Sequence, residues 1–369
     1  MKALHVFTLQ SPENAFGGPI RVALNLSSEL KRRGFEVELL GGCRGYEEAP
    51  TDLEGISAHL FPVRQIHEKL GFSGIFSISL LSWAWRNIRN YDIVHVHMAR
   101  DLITLPVAFI CKVRKVPFVI QGHGMIDPTT KPAGRILDVL LVKRVLQGAK
   151  KLLFLTDQEK QDYPAVAGGS LDNLTFLPNG VPSQVRAAQE NRSTISFISR
   201  LQERKRPELF VDMASELITN GIAAEFKIAG ADEGELASVQ SRIAQLGIGE
   251  KVSYLGAKNH EQVLQLLDET AVLVLPSINE PFPMIVLEAI SLGVPVVITD
   301  TCGLAPYIKR GTAGIVTDGS VEQLSSATEQ ILAQLFEYSA NAKSLAADEF
   351  SMSRIGDDLV KLYEDATNS

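Results

Sequence analysis

Short apolar runs alternate with segments of helical periodicity along the whole of this chain, and that alternation leaves few architectures open. In the first half the runs fall at residues 3–9, 36–40, 93–97, 117–121 and 152–155, with helical stretches such as 20–33 and 135–147 between them. In the second half they fall at 194–199, 224–229, 252–255, 272–275, 296–299 and 314–316. Strands buried on both faces read as unbroken apolar runs, and parallel strands need crossovers of helix length. The class is therefore α/β, with two Rossmann-like doubly wound domains. A length of 369 residues agrees, since it exceeds what one core usually serves.

The pattern breaks at Leu177-Pro178-Asn179-Gly180-Val181-Pro182, and polar residues run on to Ser193. The expected domains are 1–180, 181–350 and a last helical segment, 351–369. In that segment Ile355, Leu359, Leu362 and Tyr363 share one face and call for a surface to dock on.

A hydrophobic fraction of 45% and a charged fraction of 21% exclude a disordered or fibrous chain. Cys43, Cys111 and Cys302 are far apart, with no Cys-x-x-Cys pair, which argues for a reducing compartment and against structural zinc. The first residues read as a buried strand rather than a secretion signal, so a cytoplasmic location is expected. Net charge is −7, with the acidic excess in the second half, so nucleic acid is not an expected partner. Residues 72–85 are apolar and aromatic but too short to span a bilayer, which takes about 20 apolar residues. With Arg86, Arg89, Lys131, Arg135, Lys143, Arg144, Lys150 and Lys151 they raise the prospect of contact with an anionic membrane surface. A core helix beside a solvated basic face fits the same residues.

The strongest local feature is Glu280-Pro-Phe-Pro-Met-Ile-Val-Leu-Glu288, between the runs at 272–275 and 296–299. It puts one carboxylate on the loop at the carboxyl end of a strand and the other in the next helix, on the sheet edge where open α/β sheets bind ligands. Backbone N–H groups there can meet an anion, and the carboxylates can accept from sugar hydroxyls. The two acids alone could also decorate a helix start, where acids are favoured. After the run at 194–199, Arg200 and Lys205 bring two cations into a strand-to-helix turn, suited to neutralising a departing anion. Gln121-Gly122-His123-Gly124 caps another strand and lets an imidazole project. His95 and His97, on the strand at 93–97, are expected on opposite faces, one structural and the other toward an acceptor.

Ser277, Glu280, Glu288-Ala289, Gly293-Val294-Pro295 and Asp300, taken in order, resemble the glutamate motif of the retaining family 4 glycosyltransferases of the GT-B fold. The resemblance extends over nearly the whole chain. It implies two domains facing across a cleft and transfer of a sugar from a nucleoside diphosphate sugar to a glycan, lipid-linked or small-molecule hydroxyl acceptor. Polysaccharide, glycolipid or related glycoconjugate synthesis is the implied setting. By the same resemblance Gly17 and Gly18 lie against the donor diphosphate, Arg200 and Lys205 clamp it, and His123 contacts the transferred sugar. Glu280, Phe282, Pro283, Met284 and Ile285 line the sugar, Glu288 holds the ribose, and Lys258, beside Gly256, lies near the base. Catalysis is assigned to His123, Glu280, Arg200 and Lys205. No metal and no further cofactor is expected, and the chain has no Asp-x-Asp pair. Two residues depart from the family pattern: Pro283 stands where a glycine is usual and offers no N–H, and Pro306 stands where an acid is common. An epimerase or hydrolase of the same fold, or a non-catalytic sugar-nucleotide binder, would use many of the same residues.

Overall fold

Strand β1 (Lys2–Gln10) is buried along its interior and has neighbours on both sides, which explains why its residues alternate so little in polarity. In the computed structural model, which describes residues 1–12, 17–129, 132–183 and 192–368, the chain forms two compact units. The first contains the residues up to 180 together with 352–368. Its further strands are β2 (Glu36–Cys43), β3 (Asp52–Leu53), β4 (Ile56–Pro62), β5 (Arg64–Gln65), β6 (Ile75–Phe76), β7 (Ile93–His97), β8 (Phe118–Gln121), β9 (Lys151–Phe154) and β10 (Leu174–Phe176). All but β5 and β6 form one sheet in the order β10-β9-β8-β7-β1-β2-β4-β3, parallel except for β3. From β1 the chain builds outward to β2 and β4, then returns to β1's other edge as β7. That reversal is the topological switch point of a doubly wound sheet.

The helices of this unit are α1 (Gly17–Arg32), α2 (Ile78–Asn87), α3 (Thr104–Arg114), α4 (Pro132–Leu137), α5 (Lys143–Leu146) and α6 (Asp157–Ala167). Between α4 and α5 the helix widens into one π-turn, Asp138–Val142, which Lys143 closes by donating its N–H to Asp138. The continuous helix expected over 135–147 is thus a helix with a bulge.

The second unit, residues 181–351, contains β11 (Thr194–Ile198), α7 (Pro207–Thr219), β12 (Glu225–Ala229), α8 (Leu236–Leu246), β13 (Val252–Tyr254), α9 (His260–Glu269) and β14 (Thr270–Leu275). It continues with α10 (Met284–Ser291), β15 (Val296–Thr299), α11 (Ala305–Gly311), β16 (Gly314–Thr317), α12 (Val321–Ala333) and α13 (Leu335–Glu349). Its sheet is wholly parallel, in the order β13-β12-β11-β14-β15-β16, with the switch point between β11 and β14.

The chain then returns to the first unit as α14 (Met352–Asn368). Ile355, Leu359, Leu362 and Tyr363 are all buried, and the helix packs on α1 and β7. Gly356 is needed there, because a Cβ would lie 2.6 Å from Glu29 Cγ. Beside it, Arg33 bonds both Glu29 and Asp357, at 2.7 and 2.5 Å. At the domain break, Gly180 O accepts from Asn25 Nδ2, and a Cβ on Gly180 would lie 2.5 Å from Met352 Sδ. Most of the polar linker expected after Pro182 lies outside the described residues.

Candidate active site

The two loops that carry the expected donor residues flank the switch point of the second unit, one after β11 and one after β14. The first passes through Arg200 into a single 3-10 turn, Glu203–Lys205. Arg206 then takes a left-handed conformation, φ 54°, and Pro207 starts α7, where its missing N–H costs nothing. The second loop runs from Pro276 to Pro283, with Asn279 also left-handed at φ 51°. Ile278 N donates to Arg204 O at 3.0 Å, Gly303 N to Glu280 O at 2.8 Å, and Asn279 N to Thr301 Oγ1 at 3.1 Å. Three hydrogen bonds from two segments, the Arg204 turn and the loop after β15, therefore pin the loop.

Within this frame Lys205 Nζ donates to Glu280 Oε2, and both side chains are buried. Arg204 Nη1 donates to Asn279 O at 2.9 Å and lies 3.5 Å from the same carboxylate oxygen. Arg204 is thus part of the site. Arg206 Nη2 donates to Gly319 O. Arg200 is paired with Glu233 at 2.7 Å, a partner that carries no motif in the sequence. Burial holds the Lys205 ammonium below the usual lysine range; Glu280 opposes that shift, and Arg204 and Arg200 reinforce it. Ser277 Oγ is buried without a hydrogen-bond partner among the described residues.

Helix α10 begins at Met284 with Pro283 as its N-cap residue, in extended conformation. Pro283 and Met284 are buried and Ile285 is half-buried. The Phe282 side chain turns into the core, edge-on to Phe350 at 5.9 Å and Tyr307 at 6.4 Å, so only its backbone is left for a ligand. Glu288 is buried on the helix, with Oε1 3.6 Å from Nδ1 of His260, the first residue of α9. Lys258 is half-buried after β13. Pro306 lies in the first turn of α11. Gly230, with φ 153°, has no room for a Cβ, which would fall 1.8 Å from Ser199 O.

In the first unit Gly17 and Gly18 open α1; Phe16 lies outside the described residues. His123 sits in a tight turn after β8, with φ 53°, followed by Gly124 at φ 73°; Met125 N closes the turn on Gly122 O at 2.8 Å. A positive φ on a residue with a Cβ is costly and needs outside support. Helix α6 supplies it: Tyr163 OH accepts from Gly122 N at 2.8 Å, and Glu159 Oε1 accepts from Gly124 N at 2.9 Å. Glu159 Oε2 accepts from Leu155 N at 2.8 Å. Burial raises the Glu159 carboxyl although these donors pull it down.

His95 and His97 do not take opposite faces. Side chains alternate with period two, so residues two apart share a face. The two rings stack with centroids 4.5 Å apart and planes 6° apart, both buried. His5 of β1, in register with His95, joins them. His97 Nδ1 lies 2.9 Å from His123 Nε2, and His97 Nε2 lies 3.1 Å from His5 Nδ1. Tyr363 OH of α14 is 3.1 Å from His5 Nε2 and 2.8 Å from His95 Nδ1. Only the spacing of His95 and His97 hinted at this file in the sequence.

Two family models match the chain: one described as a glycosyl transferase 4-like domain over residues 17–180, and one as glycosyl transferases group 1 over residues 183–346. Between them they leave only residues 1–16, 181–182 and 347–369 unmatched. The chain belongs to the group 1 glycosyltransferases. Curated relatives of this glycosyltransferase include the D-inositol 3-phosphate glycosyltransferase of Corynebacterium jeikeium, 24% identical with 86% of this chain and 84% of that one covered. Another is the alpha-D-kanosaminyltransferase of Streptomyces kanamyceticus, 24% identical with 86% of each chain covered. Among solved structures it resembles Anabaena HepE in complex with UDP and glucose, with a TM-score of 0.76, 18% identity and 99% of both chains covered. The glycosyltransferase thus has the GT-B fold, built from two Rossmann-like units. No helix among its described residues is long and apolar enough to cross a membrane.

Proposed function

We propose that this glycosyltransferase moves a sugar from a nucleoside diphosphate sugar to a hydroxyl acceptor with retention at the anomeric carbon and without a metal ion. The observation that carries the reading is the cation group at the second unit's switch point. Lys205, Arg204 and Arg200 face two carboxylates, Glu280 and Glu233, and the central ammonium is buried. A desolvated positive excess at the carboxyl edge of a parallel sheet is a site for an anion, and a diphosphate gives Lys205 a second partner. Anabaena HepE, with the same fold, has UDP and glucose bound in its solved structure.

On this reading Arg200 and Lys205 neutralise the charge that collects on the departing diphosphate, the stabilisation that electrostatic catalysis requires. Gly17 and Gly18 open a helix whose N-terminus suits a phosphate. The Met284 and Ile285 N–H groups at the start of α10 and the Glu280 carboxylate receive the sugar, with Pro283 subtracting one donor. His123 contacts the transferred sugar, Glu288 accepts from the ribose and Lys258 lies near the base. No side chain is assigned as a nucleophile; a leaving-group phosphate oxygen takes the acceptor proton as the hydroxyl attacks from the same face. No cofactor beyond the donor takes part. The natural setting is glycan or glycolipid assembly on the cytoplasmic side. A lipid-linked acceptor fits the exposed Ile136, Val139 and Leu140, set among Arg135, Lys143 and Arg144 on the bulged helix. Of the basic residues expected at such a surface, Lys131 lies outside the described residues.

A screen of nucleotide sugars and acceptors tests the whole reading, with the anomeric configuration of the product read by NMR. Lys205→Ala should lower transfer roughly 100-fold or more while the protein stays folded, and chelators should leave the wild-type rate unchanged. Turnover of Lys205→Ala near the wild-type rate, or an inverted product, overturns it. Co-sedimentation with anionic liposomes at low salt tests the membrane contact, and protein left in the supernatant rejects it.

A further inference from the structure

We propose that His123 is held in a single tautomer, with its proton on Nε2 and a bare lone pair on Nδ1, by a directed hydrogen-bond chain through His97, His5, Tyr363 and His95 to Gln121. A neutral imidazole has one N–H and one acceptor nitrogen, so in a file of rings the polarity chosen at one end passes to the other. The four links from His123 to His95 are present: His123 Nε2 to His97 Nδ1 at 2.9 Å, His97 Nε2 to His5 Nδ1 at 3.1 Å, His5 Nε2 to Tyr363 OH at 3.1 Å, and Tyr363 OH to His95 Nδ1 at 2.8 Å. At the far end Gln121 Nε2 donates to Asn179 Oδ1 at 3.1 Å, which leaves Gln121 Oε1 to act on His95. That oxygen and His95 Nε2 are both buried, and neither has a hydrogen-bond partner within ordinary limits among the described residues, so each is left for the other.

An amide oxygen only accepts, so His95 has its proton on Nε2 and accepts from Tyr363 at Nδ1. Tyr363 accepts from His5 Nε2, His5 accepts from His97 Nε2, and His97 accepts from His123 Nε2. The file is neutral throughout: burial lowers His5 and His123 to about 3 and holds His95 and His97 well below the usual histidine range. Gln121 and Tyr363 are positioning residues. What they present at the His123 turn is a hydrogen-bond acceptor, suited to a hydroxyl group. That this hydroxyl belongs to the transferred sugar rests on the function proposed above.

The same residues argue against a metal. His5, His95 and His97 offer ring nitrogens within 4.8 Å of one another. An ion about 2.1 Å from each nitrogen can bridge no more than about 4.2 Å, and the file already occupies the lone pairs such an ion would need.

The test is long-range 1H–15N NMR on the full chain labelled at its histidine rings, with the His123 signals assigned by their loss in His123→Ala. We expect protonated Nε2 and unprotonated Nδ1 on His123 from pH 5 to pH 8. Tyr363→Phe should convert this to a mixture of tautomers and lower kcat several-fold with little change in donor KM. Gln121→Glu, whose carboxylate can only accept, should keep the wild-type tautomer. A proton on Nδ1 of His123 in the wild type overturns the proposal. So does an unchanged tautomer in Tyr363→Phe, or stoichiometric zinc uptake that displaces the ring protons. If Tyr363→Phe does not fold, the wild-type spectrum and Gln121→Glu decide. Should the tautomer be as stated while His123→Ala transfers normally, the sugar contact falls and the directed chain stands.

Discussion

His5, His95 and His97 are imidazoles that folding buries uncharged, with His123 half-buried at the end of their file, and this fixes how the protein responds to acid. The pKa of each is depressed in the folded state, His5 and His123 to about 3 from an ordinary 6.5, so the unfolded chain binds more protons below pH 6.5. Stability is therefore full above about pH 6.5 and is lost progressively as the pH falls toward 3. Glu38 acts in the same direction at lower pH: with its partners Lys2, Tyr91 and His59 it is lowered from 4.5 to about 2. Urea midpoints across this range should decline from pH 6.5 downward, and a chain as stable at pH 5 as at pH 7.5 would contradict the buried neutral file. A second expectation concerns Gly230, whose φ of 153° and contact with Ser199 O exclude a side chain. Gly230→Ala should cost about 1–3 kcal/mol for the backbone alone and displace the Arg200 loop, seen as a lower Tm and weaker donor binding by calorimetry. At this scale the sequence showed Glu280, Glu288, Arg200 and Lys205 through their order along the chain. It did not show that Lys205 and Glu280 pair, because a 75-residue separation has no local signature. Nor could it show Glu233, Glu159 or His260, single polar residues with no motif around them.

Elements were more legible than contacts. The parallel strands appeared as apolar runs within a few residues of their true ends, because burial on both faces removes polar positions. Strands β4 and β10 escaped notice, since Ile56–Pro62 alternates buried with partly exposed residues and Leu174–Phe176 is a short edge. The π-turn at Asp138–Val142 was invisible because bulged and regular helices share an apolar period. Helix α6 illustrates what an element can do beyond packing. Glu159 and Tyr163 stand one turn apart on its buried face and hold the Gly122-His123-Gly124 turn by its backbone. Glu159→Ala strips acceptors from Gly124 N and Leu155 N, and each buried donor left unpaired costs about 1–3 kcal/mol. The expected outcome is a clearly lower Tm together with a drop in kcat, whereas Glu159→Gln, which keeps one acceptor, should recover part of both. Unchanged kcat in a folded Glu159→Ala protein would show that the strained turn does not need this brace.

For the molecule as a whole, the first unit is built from two separated stretches of chain. Helix α14 buries Ile355, Leu359, Leu362 and Tyr363 in it, each side chain contributing about 1.5–3 kcal/mol. Together these rival the 5–15 kcal/mol that usually holds a protein folded. A chain ending after residue 351 should therefore lose hydrogen-exchange protection in β1, β7 and α1 while keeping it in β11, β14 and β15. Equal protection in both units would refute this division. There is also a consequence for synthesis. A ribosome delivers Tyr363 only after residues 181–351 have emerged, so the second unit can close while the first still lacks a helix. His5 and His95, made far earlier, wait for a hydroxyl that arrives near the end of translation. The setting of His123 is therefore among the last features a nascent chain completes, and a chain stalled before α14 has a finished second unit beside an unfinished histidine turn.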